Sequence, residues 1–195
     1  MRIRLNNITS AVLVFSLLVF CLCRADAAQS TVAVPAPDLG RFPTIQATSL
    51  EKTHMNLPQD FAGQLDFVVI SFAREQQKEV DTWIPVARQI QSAHSNFAYY
   101  ELFTMSRENF LSRWWFDAAL RSDTSDKDMR KRILTAYLNK HKFQQSLHIS
   151  SEKEIVAILV DKAGKIYWRG DGAASDASRL SLRSALAANG MSVKI

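Results

Sequence analysis

The sequence predicts an α/β domain: a three-layer α/β/α sandwich around a mixed sheet. Three observations carry that prediction. First, Leu65 to Phe72 reads Leu-Asp-Phe-Val-Val-Ile-Ser-Phe, a nearly continuous apolar run rich in β-branched and aromatic residues, as a strand covered on both faces requires. Second, Val80, Trp83, Ile84, Ala87 and Ile90 recur at helical spacing between that run and a second one, Phe97 to Phe103, which is the pattern of a parallel pair joined by a crossover helix. Third, two short apolar stretches, Ile155–Val160 and Lys165–Arg169, flank Asp161-Lys162-Ala163-Gly164 and precede a closing helix over about Ser175–Ala188. Gly164 suits the left-handed position of a bulged hairpin turn.

The remaining elements fill in around these. Pro85 falls inside the first helix, predicted from Glu75 to about Ser92, and is expected to kink it. Arg107–Arg121 reads as helical. Asp126–His141 is expected to form another helix, with Ile133, Leu134, Tyr137 and Leu138 on one face. Asn189-Gly190 ends the last helix. No internal repeat is visible.

Composition is that of an ordinary globular chain: 195 residues, 47% hydrophobic and 22% charged, with 24 Lys plus Arg against 19 Asp plus Glu. This excludes a collagen, a disordered tail and a disulfide-stapled miniprotein. The net charge of +5 is too small to argue for nucleic acid, and no nucleic-acid partner is expected.

The first residues read as a secretory signal. Arg2 and Arg4 form a positive start, Ala11–Cys23 is solidly apolar, and Ala25-Asp26-Ala27 supplies small residues where a signal peptidase cuts. The apolar run would span roughly 20 Å as a helix, short of a hydrocarbon core of about 30 Å. The expected organisation is therefore a cleavable signal over residues 1–27, a flexible tether over 28–40 with two prolines, and one domain over 41–190. Export would place the protein in a periplasm or on the outer face of a cytoplasmic membrane. The two cysteines, Cys21 and Cys23, lie within the signal. Cleavage leaves a chain without thiol, disulfide or cysteine metal ligand.

The order of elements resembles the thioredoxin superfamily, with Phe67–Phe72, the loop Ala73–Gln77 and the helix containing Trp83 and Pro85 at the place of the strand, active-site loop and kinked helix. Where redox relatives carry Cys-x-x-Cys or a peroxidatic Cys, this chain reads Ala73-Arg74-Glu75-Gln76-Gln77-Lys78. No thiolate forms there. The Pro that relatives place before the hairpin is also missing from Ser150-Ser151-Glu152-Lys153-Glu154. Within the superfamily, Phe42-Pro43, Asp81-Thr82-Trp83, Phe143–Ile149 and Val160–Gly170 resemble the mitochondrial ATP synthase assembly-factor family named for the tenth ATP locus, and its bacterial relatives. That resemblance implies a chaperone for a hydrophobic membrane subunit rather than an enzyme. It implies no catalytic residue.

Two functions follow as expectations. In the first, a non-catalytic exported thioredoxin fold acts as an assembly factor for a membrane complex. Its surface would comprise Trp114, Trp115 and Phe116, the basic residues Arg130, Lys131 and Arg132 with some contact to anionic lipid, and the former active-site loop Ala73, Arg74, Glu75, Gln76, Gln77 and Lys78. Three consecutive aromatics cover about 200° of a helix, so they cannot all face one core. In the second, the same loop binds a small ligand or performs chemistry without thiols. Exposed apolar surface beside positive charge favours the first, and a deep polar pocket at the loop favours the second.

Other signals read as structural. His54, His94, His141 and His148 show no ligand-like pairing, so neither metal nor cofactor is expected. Glu75, Glu79 and Asp81 suit a helix N-terminus without any substrate. Arg169-Gly170-Asp171 matches an adhesion tripeptide by letter only, its glycine fitting the exit of an edge strand.

Overall fold

A computed structural model describes residues 38–106 and 126–195 of the chain, and the compact unit runs from Asp38 to Ile195. The expected signal, most of the tether, the helix over 107–121 and its Trp114-Trp115-Phe116 lie outside the described residues.

Seven strands form one sheet, in the order β2-β1-β5-β4-β3-β6-β7. They are β1 (Ile45–Ser49), β2 (His54–Leu57), β3 (Leu65–Ser71), β4 (Phe97–Ser106), β5 (Ile133–Leu138), β6 (Val156–Asp161) and β7 (Ile166–Asp171). The helices are α1 (Gln77–Ala93), α2 (Lys127–Arg132), α3 (Lys140–Ser146) and α4 (Asp176–Ala188). Strand β3 pairs in parallel with β4 and antiparallel with β6, and β6 with β7. The mixed sheet read from the sequence is therefore present, with α1 as the crossover between its parallel strands.

All seven residues of β3 are buried, and the period of two divides them between the two faces. Leu65, Phe67 and Val69 pack with Val80, Trp83, Ala87 and Ile90 of α1 and Leu182 and Leu186 of α4. Val68 and Ile70 pack with Phe143 of α3, with Leu134, Ala136 and Leu138 of β5, and with Phe42, Leu57 and Phe61 from the N-terminal segment. Those two apolar layers make the sandwich. The indoles buried on the α1 face have acceptors: Trp83 Nε1 donates to the Gly172 carbonyl at 3.0 Å and Trp168 Nε1 to Ser181 Oγ at 2.9 Å. Thr82 Oγ1 receives the Ala174 N–H at 2.8 Å. Thr82 and Trp83 thus clamp α1 to the segment that follows the hairpin.

The hairpin turn is built as its residues suggest. Asp161 Oδ1 accepts from the N–H groups of Ala163 and Lys165, each at 2.9 Å, and Gly164 takes φ +81°. A Cβ on Gly164 would stand 2.6 Å from the Phe42 carbonyl, so glycine is required both by its backbone and by the close approach of the domain's first residues.

One expectation fails. Asp126–His141 is not a single helix: α2 ends at Arg132, the chain becomes β5, and α3 begins at Lys140 after Asn139, whose side chain accepts the Lys142 N–H. Leu134, Ala136 and Leu138 are buried and alternate with Thr135 and Tyr137. Ile133, Leu134, Tyr137 and Leu138 fit a helical stripe equally well, and the open flank of β4 decides the contest. It pairs with β5 from Glu101↔Ile133 to Ser106↔Leu138, and tertiary pairing overrides a short local pattern. The β1–β2 hairpin, whose β1 edge pairs with β5, is a further addition the sequence did not announce. The first helix runs unbroken from Gln77 to Ala93 through Pro85, which lacks the N–H that would bond the Asp81 carbonyl.

Phe67 is fully buried, with its ring 5.5 Å from Trp83 and 6.2 Å from Trp168. Phe67→Ala is expected to cost about 3–5 kcal/mol, whereas Leu180→Ala, at a position 60% exposed on α4, should stay within about 0.5 kcal/mol. Urea denaturation of both variants checks the pair, and equal midpoints would contradict the assignment of the core.

Candidate functional site

The C-terminal end of β3 leads through Phe72 and Ala73 into a 3₁₀ turn, Arg74–Gln76, and then into α1. Of the six loop residues, Arg74, Glu75, Gln77 and Lys78 are exposed, Ala73 is half-buried and Gln76 is buried. Gln76 points inward and its amide is fully engaged. Its Oε1 accepts from Phe72 N at 2.8 Å and from Ala73 N at 3.2 Å, while its Nε2 donates to the Glu152 carbonyl at 2.7 Å. The Glu152 carboxylate in turn receives Lys140 Nζ and Gln144 Nε2, each at 2.5 Å, and Lys140 Nζ lies 5.8 Å from the centre of the Phe72 ring. A polar latch therefore ties the end of β3, the helix α3 and the loop before β6. It fills the place where the sequence lacks both cysteines and proline.

Beside the latch, on the α1 side of the sheet, Gln77 Nε2 bridges two carboxylates, Asp81 Oδ1 at 3.0 Å and Glu101 Oε2 at 3.4 Å. Glu101 is 7% exposed. Burial pushes its carboxyl up to about 7, the Asp81 charge adds to the effect, and the Gln77 hydrogen bond opposes it. Of the acids named in the loop and first turn, only Asp81 joins this bridge; Glu75 points to solvent. Glu101 escaped the sequence reading, although its signal was visible as a lone acid inside Phe-Ala-Tyr-Tyr-Glu-Leu-Phe. Asp66, a lone acid inside the β3 run, is similar. It is wholly buried on the opposite face, its Oδ1 accepts the Gly63 N–H at 2.9 Å, and its Oδ2 has no partner among the described residues. Burial raises it to about 7 as well.

The basic residues Arg130, Lys131 and Arg132 each have a different partner. Arg130 Nη1 is 3.6 Å from Glu51 Oε1 at the β1–β2 turn, Lys131 pairs with Asp128 of its own helix at 3.0 Å, and the Arg132 guanidinium lies 4.7 Å over the Tyr99 ring. Lys140 and Lys142 belong to a different helix. Strand β5 therefore divides the expected basic helix into a short helix carrying Arg130, Lys131 and Arg132 and a separate one carrying Lys140 and Lys142. Trp114, Trp115 and Phe116 lie outside the described residues. Leu180 is the large apolar side chain most open to solvent among the described residues.

Other sequence signals resolve into structure. Arg169 Nε bonds Asp171 Oδ1 at 2.9 Å and its Nη1 bonds the Leu147 carbonyl at 2.5 Å, so the tripeptide side chains face one another and the fold. A Cβ on Gly170 would meet the Trp168 ring at 2.5 Å. His54 contacts Thr48 Oγ1, His94 the Ser192 carbonyl and His148 the Asp38 carbonyl. Among the described residues no three His, Cys, Asp or Glu side chains gather as a metal site would require, and no helix is long and apolar enough to cross a membrane.

No family model matches the chain, and no curated protein matches it. Solved structures do. A putative electron transfer protein from Aquifex aeolicus VF5 aligns with TM-score 0.54 at 9% identity, covering 76% of this chain and 91% of that one. A putative thiol:disulfide interchange protein DsbE from Chlorobium tepidum aligns with TM-score 0.50 at 13% identity over 78% and 98% of the two chains. BsSco, a member of the Sco family of cytochrome c oxidase assembly proteins, aligns with TM-score 0.51 at 12% identity over 77% and 95%. The fold is thioredoxin-like. Identities this low speak for the fold alone. Within it, the latch occupies the junction of strand and helix that the sequence reading assigned to the redox loop.

The two buried acids set a pH dependence. Each has a folded value near 7 and an unfolded value of about 4. Between those limits the native state holds more protons than the unfolded state, so each acid lowers stability by about 1.4 kcal/mol per pH unit as pH rises, and adds no further loss above about 7. Asp66→Asn should therefore gain stability relative to the parent between about pH 4.5 and pH 8. Urea midpoints at both pH values check this, and a constant difference would count against a neutral Asp66.

Proposed function

We propose that the protein is a non-catalytic, exported thioredoxin-fold binding protein that assists the assembly of a membrane protein complex. The observation that carries this reading is the latch: every polar atom of the Gln76 side chain is consumed in holding β3, α3 and the loop before β6 together. A side chain held in this way presents no nucleophile, and its carbonyl oxygen is already shared by two backbone N–H groups. Thiol exchange requires a thiolate, and residues 38–195 contain no cysteine. The exposed neighbours Arg74, Glu75, Gln77 and Lys78 stand around the closed latch as a rim of charged and polar groups, suited to protein contact. The sequence resemblance to ATP synthase assembly factors and the likeness in fold to BsSco, which is named for cytochrome c oxidase assembly, support an assembly role. The predicted secretory signal supports action outside the cytoplasmic membrane.

A small-ligand site at the same loop has less support. A depression of about 260 Å³ beside Glu152 is lined by Ser150, Ser151, Lys153 and Glu154 together with Arg169 and Asp171, and by no residue of the loop 73–78. Ligand pockets run from roughly 300 to 1,000 Å³, and here Arg169 and Asp171 are already bonded to each other.

In-cell crosslinking of the tagged protein, followed by mass spectrometry of solubilised membranes, tests the reading. One membrane complex should be enriched, and reversing the exposed charges with Arg74→Glu and Lys78→Glu should reduce its capture about tenfold, the equivalent of about 1.4 kcal/mol. The protein should show no insulin-reducing activity with dithiothreitol. Abundant protein that captures no membrane complex, or that catalyses disulfide reduction, would overturn the proposal.

A further inference from the structure

A second concavity lies away from the latch, between α2, the β1–β2 hairpin and the face of β4. It measures about 400 Å³, within the range of roughly 300–1,000 Å³ that small molecules occupy. Its polar lining is rich in donors. Lys131 and Arg132 line it together with the hydroxyl-bearing residues Ser49, Thr53 and Tyr100. Asp128 supplies the lining carboxylate, and it is already bonded to Lys131 at 3.0 Å, so the lining carries one net positive charge.

Two of the donors are held in place before any ligand arrives. The Arg132 guanidinium rests 4.7 Å over the Tyr99 ring, with Nη1 3.5 Å from the Tyr99 carbonyl. Tyr100 is 6% exposed, and its ring packs 5.0 Å from Phe61. The Tyr100 oxygen already accepts the Ala62 N–H at 3.0 Å, so its own proton is left to donate and has no acceptor among the described residues. Burial raises the Tyr100 hydroxyl above its ordinary value, which keeps that proton in place at neutral pH. The Ser49 oxygen likewise accepts, from Thr53 N at 3.1 Å, and has its proton to give. Fixed donors around a net positive cavity are complementary to an oxyanion. Met55 and Ala62 add an apolar wall, leaving room for a carbon skeleton beyond the anionic group.

From this geometry we infer that the groove between α2 and the β1–β2 hairpin binds the phosphate group of a small organic phosphate, with Arg132, Lys131 and the Tyr100 hydroxyl as its donors. The same chemistry is offered by a soluble phosphomonoester and by an anionic phospholipid headgroup. The inference is independent of the assembly role, because it rests on residues outside the latch.

Calorimetric titration of the purified full-length protein with inorganic phosphate and with glycerol 3-phosphate is the test, joined by sedimentation with phosphatidylglycerol and phosphatidylcholine vesicles. Saturable binding is expected, with glycerol 3-phosphate tighter than inorganic phosphate. Loss of one charge-assisted donor should weaken it about tenfold in Arg132→Gln and in Tyr100→Phe. Lys131→Gln, at an exposed position, provides a variant that leaves the core intact. Retention on phosphatidylglycerol alone, lowered by the same variants and by added glycerol 3-phosphate, assigns the site to a lipid headgroup. Binding of the soluble phosphates without such retention assigns it to a soluble ligand. Failure of both phosphates to saturate up to about 10 mM, a Kd range of only about −3 kcal/mol, without variant-sensitive retention on vesicles, would overturn the inference. So would binding that is unchanged in all three variants.

Discussion

The structure depends on the complete burial of one strand. Every residue of β3 is out of solvent, so both of its faces must be covered and its backbone polar groups must be satisfied within the protein. The first demand places α1 and α4 on one side and α3 with the N-terminal segment on the other. The second explains why the strand ends as it does. The backbone N–H groups of Phe72 and Ala73, where the sheet gives out and α1 has yet to begin, are taken by a single glutamine side chain. The end of β3 is thus a place where the backbone needs a partner, and here Gln76 meets that need.

How far the sequence foretold this follows from the kind of signal each element gives. Strand β3 and the crossover helix were legible because long, strongly patterned segments leave one period to choose. The turn at Asp161–Gly164 was legible because Asp161 and Gly164 each meet a specific backbone requirement. Strand β5 was hidden because six residues, Ile133–Leu138, satisfy both periods, and the deciding partner, β4, is distant in sequence. The loop was legible as a strand-to-helix junction without thiols, yet Gln76 reads as one polar residue among several. Only the fold brings the Glu152 carbonyl to its amide. Asp66 and Glu101 stand in the sequence as lone acids in apolar runs, which a strand pattern tolerates; burial raises both carboxyls to about 7.

The residues behind the family resemblance have architectural work in this chain. Thr82 and Trp83 bond Ala174 and Gly172, Phe42 meets Gly164, and Asp161 closes its own turn. All of these fasten the start of the domain, the crossover helix and the hairpin to one another. Residues with such duties serve the architecture, whatever the fold is used for. The distant structural likenesses speak for that architecture alone, and function has to be argued from the residues of this chain.

Two places stand out among these residues, and they differ in physical kind. At the latch, donors and acceptors are matched: the Gln76 amide has three partners, and the Glu152 carboxylate has a lysine and a glutamine. Matched groups contribute rigidity and offer little to a newcomer, because any ligand must first break the bonds already there. At the groove beside α2, donors outnumber acceptors, and the two best placed of them, on Arg132 and Tyr100, are held by aromatic contacts and by one hydrogen bond each, which leaves further N–H groups on Arg132 and the Tyr100 proton. An excess of oriented donors costs little in water and gains much when an anion replaces that water. The end of β3, where this fold invites attention, is the settled part of the molecule, and the unspent binding capacity lies beside the short helix that β5 cut from a longer basic stretch.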